Sequence, residues 1–125
     1  MAKKKILLID DENIMRKTVS LFLQHYDIDI KTAGNGEEGL TSMKNDKPDM
    51  VLLDIMMPFM DGWEVLRRIR SDEALKEIPV IMFTASDTHI NEAMLRESGA
   101  TGILHKPFHL QQLLAAVGIS KEIRT

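Results

Sequence analysis

The sequence predicts an α/β protein built on a doubly wound parallel sheet of five strands with helices on both faces. Continuous apolar runs of four residues end at Ile9, Leu53 and Phe83, which is typical of strands buried on both faces. Strand patterns and helical patterns alternate along the whole chain, as in a parallel sheet covered by helices. Right-handed crossovers between such units favour the strand order 2-1-3-4-5.

The first two strands differ in pattern, and the helix between them is amphipathic. Residues 6–9 are all apolar, whereas residues 28–33 alternate apolar and polar side chains, so the second strand is expected at an edge of the sheet. Capping oxygens in residues 11–13 and apolar residues at helical spacing over residues 15–26 predict the first helix.

The second and third helices are predicted to begin at capping boxes. Asn35 precedes Glu38 by three positions, and Asp61 precedes Glu64 by three. Pro48 cannot continue a helix and ends the second one. In the third helix the predicted inward residues are Val65, Leu66 and Ile69, and the predicted outward residues are Arg67, Arg68 and Arg70.

The C-terminal part of the chain predicts two further strand–helix units. Asp87 can cap a fourth helix that Gly99 ends, and residues 102–105 predict a short strand at the other edge of the sheet. The predicted apolar faces are Ile90, Ala93 and Met94 in the fourth helix, and Leu110, Leu113, Leu114 and Val117 in the fifth.

Size and composition indicate one ordinary globular domain, which we expect to span residues 1–125. Hydrophobic residues make up 44% and charged residues 28%, and the formal charge of −3 is too mild to indicate direct nucleic-acid binding. The apolar run after the first lysines is too short for a signal peptide or a membrane span. The chain has no cysteine, which fits a reducing compartment, and we expect a cytoplasmic location.

Four of the predicted strands end in side chains that can do chemistry. Asp10 and Asp11 follow the first strand, Asp54 the third, Thr84 the fourth and Lys106 the fifth. In open parallel sheets, ligands bind outside the carboxyl ends of the strands, at the point where the strand order reverses. We therefore expect these five side chains to form one site between the first and third strands.

The residue types in this site point to phosphoryl transfer assisted by a cation. Two carboxylates ~4 Å apart repel by roughly 4 kcal/mol at an effective dielectric near 20, and protons or a cation must relieve this repulsion. Oxygen ligands suit Mg²⁺, which is predicted on Asp10 and Asp11. Asp54 is the predicted nucleophile, with Lys106 and the Thr84 hydroxyl contacting phosphoryl oxygens.

Several short motifs accompany these residues in a fixed order. They are Asp10-Asp11, Asp54, Pro58, Asp61-Gly62, Thr84-Ala85 and Lys106-Pro107-Phe108. In this order the chain resembles the receiver domain of two-component response regulators, of the chemotaxis-regulator type, from residue 4 to about residue 118. Each motif alone is weak, but together at these strand ends they are highly specific. The fold that the resemblance implies is flavodoxin-like.

The resemblance implies a signalling role and a ligand set. It implies that a histidine kinase or a histidine phosphotransfer protein phosphorylates Asp54, after which the domain binds a downstream target protein. It implies Mg²⁺ on Asp11, Asp54 and the backbone carbonyl of Met56, with Asp10 acting largely through water. Such a domain is not an enzyme in the usual sense, although it promotes its own phosphorylation and dephosphorylation.

The resemblance also carries expectations outside the pocket. It implies a cis peptide before Pro107 and a partner face over residues 87–118. Ile103 stands where many receivers have Tyr or Phe, so we expect the conformational readout to rely on the backbone after the fourth strand. Met56 and Ser86 occupy the two variable positions that flank the site and influence the rate of dephosphorylation in such domains.

Three alternatives stay open at the level of sequence. Residues 1–125 are expected to be a stand-alone regulator, and the alternative is the receiver part of a longer regulator with an effector domain. A Mg²⁺-dependent aspartyl-phosphate phosphatase would need an acid two residues after the nucleophile, where Met56 stands. A flavin carrier would need a phosphate cradle in the first strand–helix loop, which Asp10 and Asp11 make acidic.

Overall fold

The computed structural model describes residues 3–85, 90 and 92–118, which contain five strands alternating with five helices. Their bounds are β1 Lys4–Ile9, α1 Asn13–Leu23, β2 Ile28–Ala33, α2 Gly36–Asn45, β3 Met50–Asp54, α3 Gly62–Ser71, β4 Val80–Ala85, α4 Glu92–Ser98, β5 Gly102–Lys106 and α5 Leu110–Ala116. The strands form one parallel sheet in the order β2-β1-β3-β4-β5, which confirms the predicted fold class and topology. None of the helices in these ranges has the length and apolar character needed to cross a bilayer.

The place of each strand in the sheet agrees with its sequence pattern. β1, β3 and β4 are interior strands and are largely buried, as their continuous apolar runs predict. β2 lies at one edge and exposes alternate parts of its length, and β5 forms the other edge. Both edge assignments made from the sequence are confirmed.

Helices cover both faces of the sheet and enclose two hydrophobic clusters. Successive strand residues point to opposite faces, so Leu7 and Ile9 join one cluster while Ile6 and Leu8 join the other. The first cluster includes side chains of α2 and α3, and the second includes side chains of α1 and α5. Burying one such side chain stabilises the fold by roughly 1.5–3 kcal/mol. The two clusters therefore fix the strands firmly in one register.

This register brings the acidic ends of two strands side by side. Ile9 of β1 lies beside Leu53 of β3, and Asp54 of β3 lies beside Phe83 of β4. Asp10 directly follows Ile9, just as Asp54 directly follows Leu53. The two aspartates consequently lie side by side at the C-terminal ends of neighbouring strands.

The N-cap side chains predicted for α2 and α3 make their capping hydrogen bonds, whereas Glu12, the N-cap residue of α1, makes none. Asn35 Oδ1 accepts from the Glu38 backbone N–H at 2.9 Å, and Asp61 Oδ1 accepts from the Glu64 backbone N–H at 3.0 Å. The Glu64 carboxylate, however, accepts from two arginines one turn further along α3, at 2.7 and 2.9 Å. These exposed ion pairs take the place of the reciprocal half of the capping box predicted at Asp61.

The inward face of α4 differs from the prediction. Ala93 and Met94 were predicted to be buried, but both are exposed, Met94 by 44%. Leu95 and Ser98 are the half-buried positions of this helix instead. Ile90 does pack against the core, but it precedes α4 and therefore does not mark the face of the helix. The prediction was out of phase because it counted Ile90 as a helical residue.

Arg70 was predicted on the solvent face of α3 and instead turns back into the protein. Its Nε donates to the Gly99 carbonyl at 2.9 Å, and its Nη1 donates to the carbonyls of Lys76 and Ile78 at 3.0 and 2.7 Å. Gly99 ends α4 as predicted, in a left-handed conformation with φ of 83°. Burial lowers the pKa of Arg70, yet a guanidinium remains charged in proteins. One side chain thus joins α3, the loop after it and the end of α4.

We expect the substitution Arg70→Met to lower the free energy of unfolding by about 1–3 kcal/mol, because three carbonyls lose a charged donor at once. Urea denaturation followed by circular dichroism measures this change. The matched control is Arg67→Met, which breaks only an exposed pair with Glu64 and should change stability by less than about 0.5 kcal/mol. Equal transition midpoints for the two variants would contradict the structural role given to Arg70.

Candidate functional site

Three buried polar side chains lie together at the C-terminal end of the sheet. Among the described residues, Asp10, Asp54 and Thr84 are the buried polar or charged side chains, with exposed fractions of 0%, 4% and 1%. They lie where β1, β3 and β4 end. Burying polar groups is unfavourable unless they are paired. Their concentration at the C-terminal strand ends, where the sequence predicted a site, therefore identifies the candidate site.

Three carboxylates at this edge are close enough to share one cation. Asp10, Asp11 and Asp54 each offer an oxygen, and these oxygens all lie within 4.8 Å of one another. Asp10 and Asp54 are buried, whereas Asp11 is exposed and faces the solvent side of the group. A set of oxygen ligands alone fits a hard divalent ion such as Mg²⁺ better than a soft metal. The predicted convergence of these three residues is thus observed.

Lys106 lies within ion-pair distance of three carboxylates. Its Nζ is 3.1 Å from Asp10 Oδ2, 3.5 Å from Asp54 Oδ1 and 3.6 Å from Glu12 Oε1. The ring of Phe83 lies below the ammonium, with its centroid at 6.0 Å. The Lys106–Pro107 peptide bond is cis, as the resemblance implied. The fifth strand therefore brings its lysine to the acidic group, as the sequence predicted.

Thr84 and Met56 complete the set of predicted site residues. Thr84 pairs with His105 in the β4–β5 register, and its hydroxyl donates to the Ala85 carbonyl at 3.3 Å. The Met56 side chain is exposed, while its backbone N–H donates to Asp54 Oδ1 at 3.3 Å. Thr84 thus lies near the C-terminal end of β4, the strand beside the one that carries Asp54, and the Met56 backbone contacts the Asp54 carboxylate.

The electrostatics of the group follow from burial and crowding. Burial, followed by the charge of Asp10, raises the pKa of Asp54 to about 7, although the Lys106 ammonium opposes this shift. Burial lowers the pKa of Lys106, but Asp10 and then Asp54 more than offset burial, so its pKa is raised overall. At neutral pH the lysine is charged and Asp54 is balanced between its two forms. A proton or a bound cation therefore relieves the repulsion between the carboxylates of the site.

The raised pKa of Asp54 makes stability depend on pH when divalent cations are removed by a chelator. Above its ordinary pKa of 3.8 the carboxyl ionises in the unfolded chain but keeps its proton in the folded protein up to about pH 7. The free energy of unfolding should therefore fall as pH rises through this window. Asp54→Asn removes this effect, so its stability relative to wild type should grow between about pH 4 and 7, by roughly 1 kcal/mol or more.

Urea denaturation of both proteins across this pH range measures the difference. A difference that does not vary with pH would show that Asp54 has an ordinary pKa in the folded state. Adding Mg²⁺ at pH 7 should reduce the difference, because a bound cation stabilises the ionised carboxylate of wild type alone.

The loop after β3 is held close to the end of that strand. The Gly62 backbone N–H donates to the Ile55 carbonyl at 2.8 Å. A Cβ at position 62 would lie 2.4 Å from the Asp54 carbonyl oxygen and 2.7 Å from the Ile55 Cα, so there is space only for glycine. The glycine of the Asp61-Gly62 motif therefore allows α3 to begin directly against the strand that carries Asp54.

Two residues near the site were not predicted to have a role. Arg16, a polar residue among the apolar positions of α1, donates from Nη1 to the Asp10 carbonyl at 2.7 Å. Glu12 was interpreted only as part of a cap, and its carboxylate contacts Lys106. Their position at the start of α1 could have indicated these contacts, since side chains there point back toward the end of the preceding strand. Helical periodicity by itself separates only inward from outward faces.

Some expectations fall on residues that the structure does not describe. These are the Asp87 cap of α4, the variable position Ser86 and the first part of the partner face predicted over residues 87–118. Ile103 is described, and it is half-buried against the cluster that contains residues of α2 and α3.

Comparison with known proteins identifies the family. The sequence-family model of the response regulator receiver domain matches residues 6–118 of this chain. The chain belongs to the response regulator receiver domain family. Receiver domains are signalling domains of two-component systems that are phosphorylated on an aspartate, bind Mg²⁺ in an acidic pocket, and interact with histidine kinases and downstream targets. The resemblance inferred from the short motifs is confirmed.

Individual relatives differ in length. The chain is 35% identical to the alkaline phosphatase synthesis transcriptional regulatory protein PhoP of Bacillus subtilis, over 91% of the chain and 47% of PhoP. It is 34% identical to protein PilG of Pseudomonas aeruginosa, over 90% of the chain and 84% of PilG. The chain therefore spans about half the length of PhoP and most of the length of PilG.

The fold also matches a solved receiver structure. Chemotaxis protein CheY4 of Vibrio cholerae superposes with a TM-score of 0.87 at 32% identity, covering 94% of this chain and 98% of CheY4. The superposition covers nearly the whole of this chain, and the observed strand order β2-β1-β3-β4-β5 is consistent with the fold of CheY4.

Proposed function

We propose that Asp54 of this receiver accepts a phosphoryl group from a histidine kinase or a histidine phosphotransfer protein. The observation that supports this role best is the double environment of its carboxylate. Asp54 shares the three-carboxylate group with Asp10 and Asp11, and its Oδ1 also lies 3.5 Å from the Lys106 ammonium. Asp10 shares this environment, but Asp54 alone of the three acids stands on the central strand β3, and its pKa is the one raised to about 7.

The transfer itself requires little covalent help from the protein. An oxygen of the Asp54 carboxylate attacks the phosphorus, the bond between phosphorus and the donor's imidazole nitrogen breaks, and the nitrogen leaves with the electron pair. Positioning and charge neutralisation are the main contributions of the remaining residues. Lys106 donates to one phosphoryl oxygen and the Thr84 hydroxyl to another, so the developing negative charge is spread over fixed partners.

The acidic group is proposed to hold Mg²⁺ through Asp11, Asp54 and the backbone carbonyl of Met56, with Asp10 acting largely through water. Mg²⁺, when bound, supplies positive charge that neutralises both the carboxylates and the phosphoryl oxygens. The separation of the carboxylate oxygens supports the acids of this set, because oxygens of Asp10, Asp11 and Asp54 all lie within 4.8 Å of one another. The raised pKa of Asp54 supports it further, since metal-free crowding is unfavourable for the ionised form.

Signalling output is proposed to pass to a target protein through the face made by α4, β5 and α5. Phosphorylation places new charge beside Thr84 and Lys106, at the ends of β4 and β5, and these strands lead directly into this face. Half-buried Ile103 on β5 lacks the ring of an aromatic residue, so the proposed readout is the backbone of residues 85–89, of which 86–89 lie outside the described part of the chain.

Residues 1–125 are proposed to act as one receiver domain, which promotes its own phosphorylation and dephosphorylation. A stand-alone regulator is compatible with the coverage of PilG, and a receiver segment within a longer regulator is compatible with the coverage of PhoP. The gene sequence on both sides of this segment distinguishes these two forms. A cytoplasmic location is proposed, with which the absence of cysteine from residues 1–125 is compatible.

The central experiment is incubation with a small acyl phosphate and Mg²⁺, followed by intact-protein mass spectrometry. We expect wild type to gain the mass of one phosphoryl group, and Asp54→Asn to gain none. Asp29→Asn is the matched control, because it removes an exposed carboxylate from the edge strand β2 and should be modified as wild type is. Equal modification of wild type and Asp54→Asn, or no modification of wild type, would refute the assignment of Asp54.

A further inference from the structure

Glu12 contacts Lys106 but lies outside the candidate cation group. Its Oε1 is 3.6 Å from Lys106 Nζ, and its side chain is 64% exposed, whereas the two other carboxylates around the lysine are buried. In the described part of the chain the group able to share one ion consists of Asp10, Asp11 and Asp54. The contact of Glu12 is therefore with the ammonium and not with the cation position.

Local structure explains why Glu12 points to this lysine. Glu12 occupies the N-cap position of α1 in an extended conformation, and its side chain makes no capping hydrogen bond. Glutamate is poorly suited to capping, since its side chain is longer than the short side chains preferred there. The Glu12 backbone N–H donates to Asp10 Oδ1 at 2.9 Å, which anchors the residue beside the pocket. Its free carboxylate is then attracted to the positive charge of Lys106.

This contact opposes the proposed task of the lysine. To neutralise a phosphoryl group on Asp54, the Lys106 ammonium must donate to phosphoryl oxygens in place of carboxylate oxygens. A phosphoryl group carries close to two negative charges, so a nearby carboxylate both occupies the lysine and repels the group. Asp10 is buried beside Lys106, whereas Glu12 is 64% exposed and lies on the solvent side of the lysine.

We propose that Glu12 is a positioning residue that competes with the phosphoryl group for Lys106 and so weakens retention of that group without contributing to Mg²⁺ binding. This inference rests on the proposed function of Asp54 and concerns the same pocket. An exposed ion pair changes an equilibrium by up to about five-fold. Removing the Glu12 charge should therefore raise affinity for a phosphoryl mimic by roughly two- to five-fold.

The test is beryllofluoride binding at saturating Mg²⁺, with the dissociation constant measured by isothermal titration calorimetry, and Mg²⁺ binding alone measured separately. Glu12→Gln keeps the shape of the side chain and removes its charge, so it should bind beryllofluoride more tightly while its Mg²⁺ affinity does not rise. Glu12→Asp keeps the charge on a shorter side chain that withdraws from Lys106, and it should give an intermediate gain. Damage to the fold would weaken binding, so a gain in affinity reports the competition itself.

Glu37→Gln is the matched control, because Glu37 is an exposed acid in the first turn of α2, at the same end of the sheet. It should leave beryllofluoride affinity close to that of wild type. An equal gain in Glu12→Gln and Glu37→Gln would show a general charge effect and overturn the proposal. Unchanged affinity in Glu12→Gln, or a loss of Mg²⁺ affinity that identifies Glu12 as a ligand, would also overturn it.

The outcomes separate this inference from the function on which it rests. If wild type fails to bind beryllofluoride in the presence of Mg²⁺, or if Asp54→Asn binds it equally well, the assignment of Asp54 fails. If wild type binds and Asp54→Asn does not, but Glu12→Gln behaves as wild type, only the role of Glu12 fails.

Discussion

The ammonium of Lys106 lies between the buried carboxylates of Asp10 and Asp54, and the organisation of this receiver depends on that interaction. Two acids that lie side by side in an apolar sheet would repel one another strongly without a positive charge between them. The lysine relieves this repulsion only in part, because the pKa of Asp54 is still raised to about 7. The pocket is therefore held together while retaining a need for further positive charge, which is the property that a site for Mg²⁺ and a phosphoryl group requires.

The rest of the fold holds these charges in place. Hydrophobic clusters on both faces of the sheet fix the register in which Asp10 and Asp54 leave neighbouring strands at one level. Arg16 donates to the backbone of Asp10, and Gly62 lets α3 start against the end of β3. The stability of the core thus offsets the repulsion between like charges that the fold holds close together at the C-terminal end of the sheet.

Much of the fold and most of the site could be predicted from sequence because they depend on short-range patterns. Apolar runs identified the interior strands, and alternation identified β2 as an edge. Parallel topology then predicted that Asp54 and Lys106 lie at the same, C-terminal end of the sheet. The failures have a common origin in local patterns, since Met94 and Arg70 were assigned from helical faces and Glu12 from a capping position. Arg70 and Glu12 have long charged side chains that bend away from the direction of their Cα–Cβ bonds, and α4 is too short for periodicity to define its phase.

The sequence by itself determined the class of the fold, the strand order and the strand ends at which the predicted site residues lie, because burial pattern and crossover handedness follow from residue order. Tertiary structure alone decided how those side chains share charge. Distances from Lys106 to three different carboxylates depend on packing between strands that are far apart in the chain, and no local pattern encodes them. The contact between Glu12 and Lys106 is of this kind, since it joins residues at opposite ends of the sequence through the sheet between them.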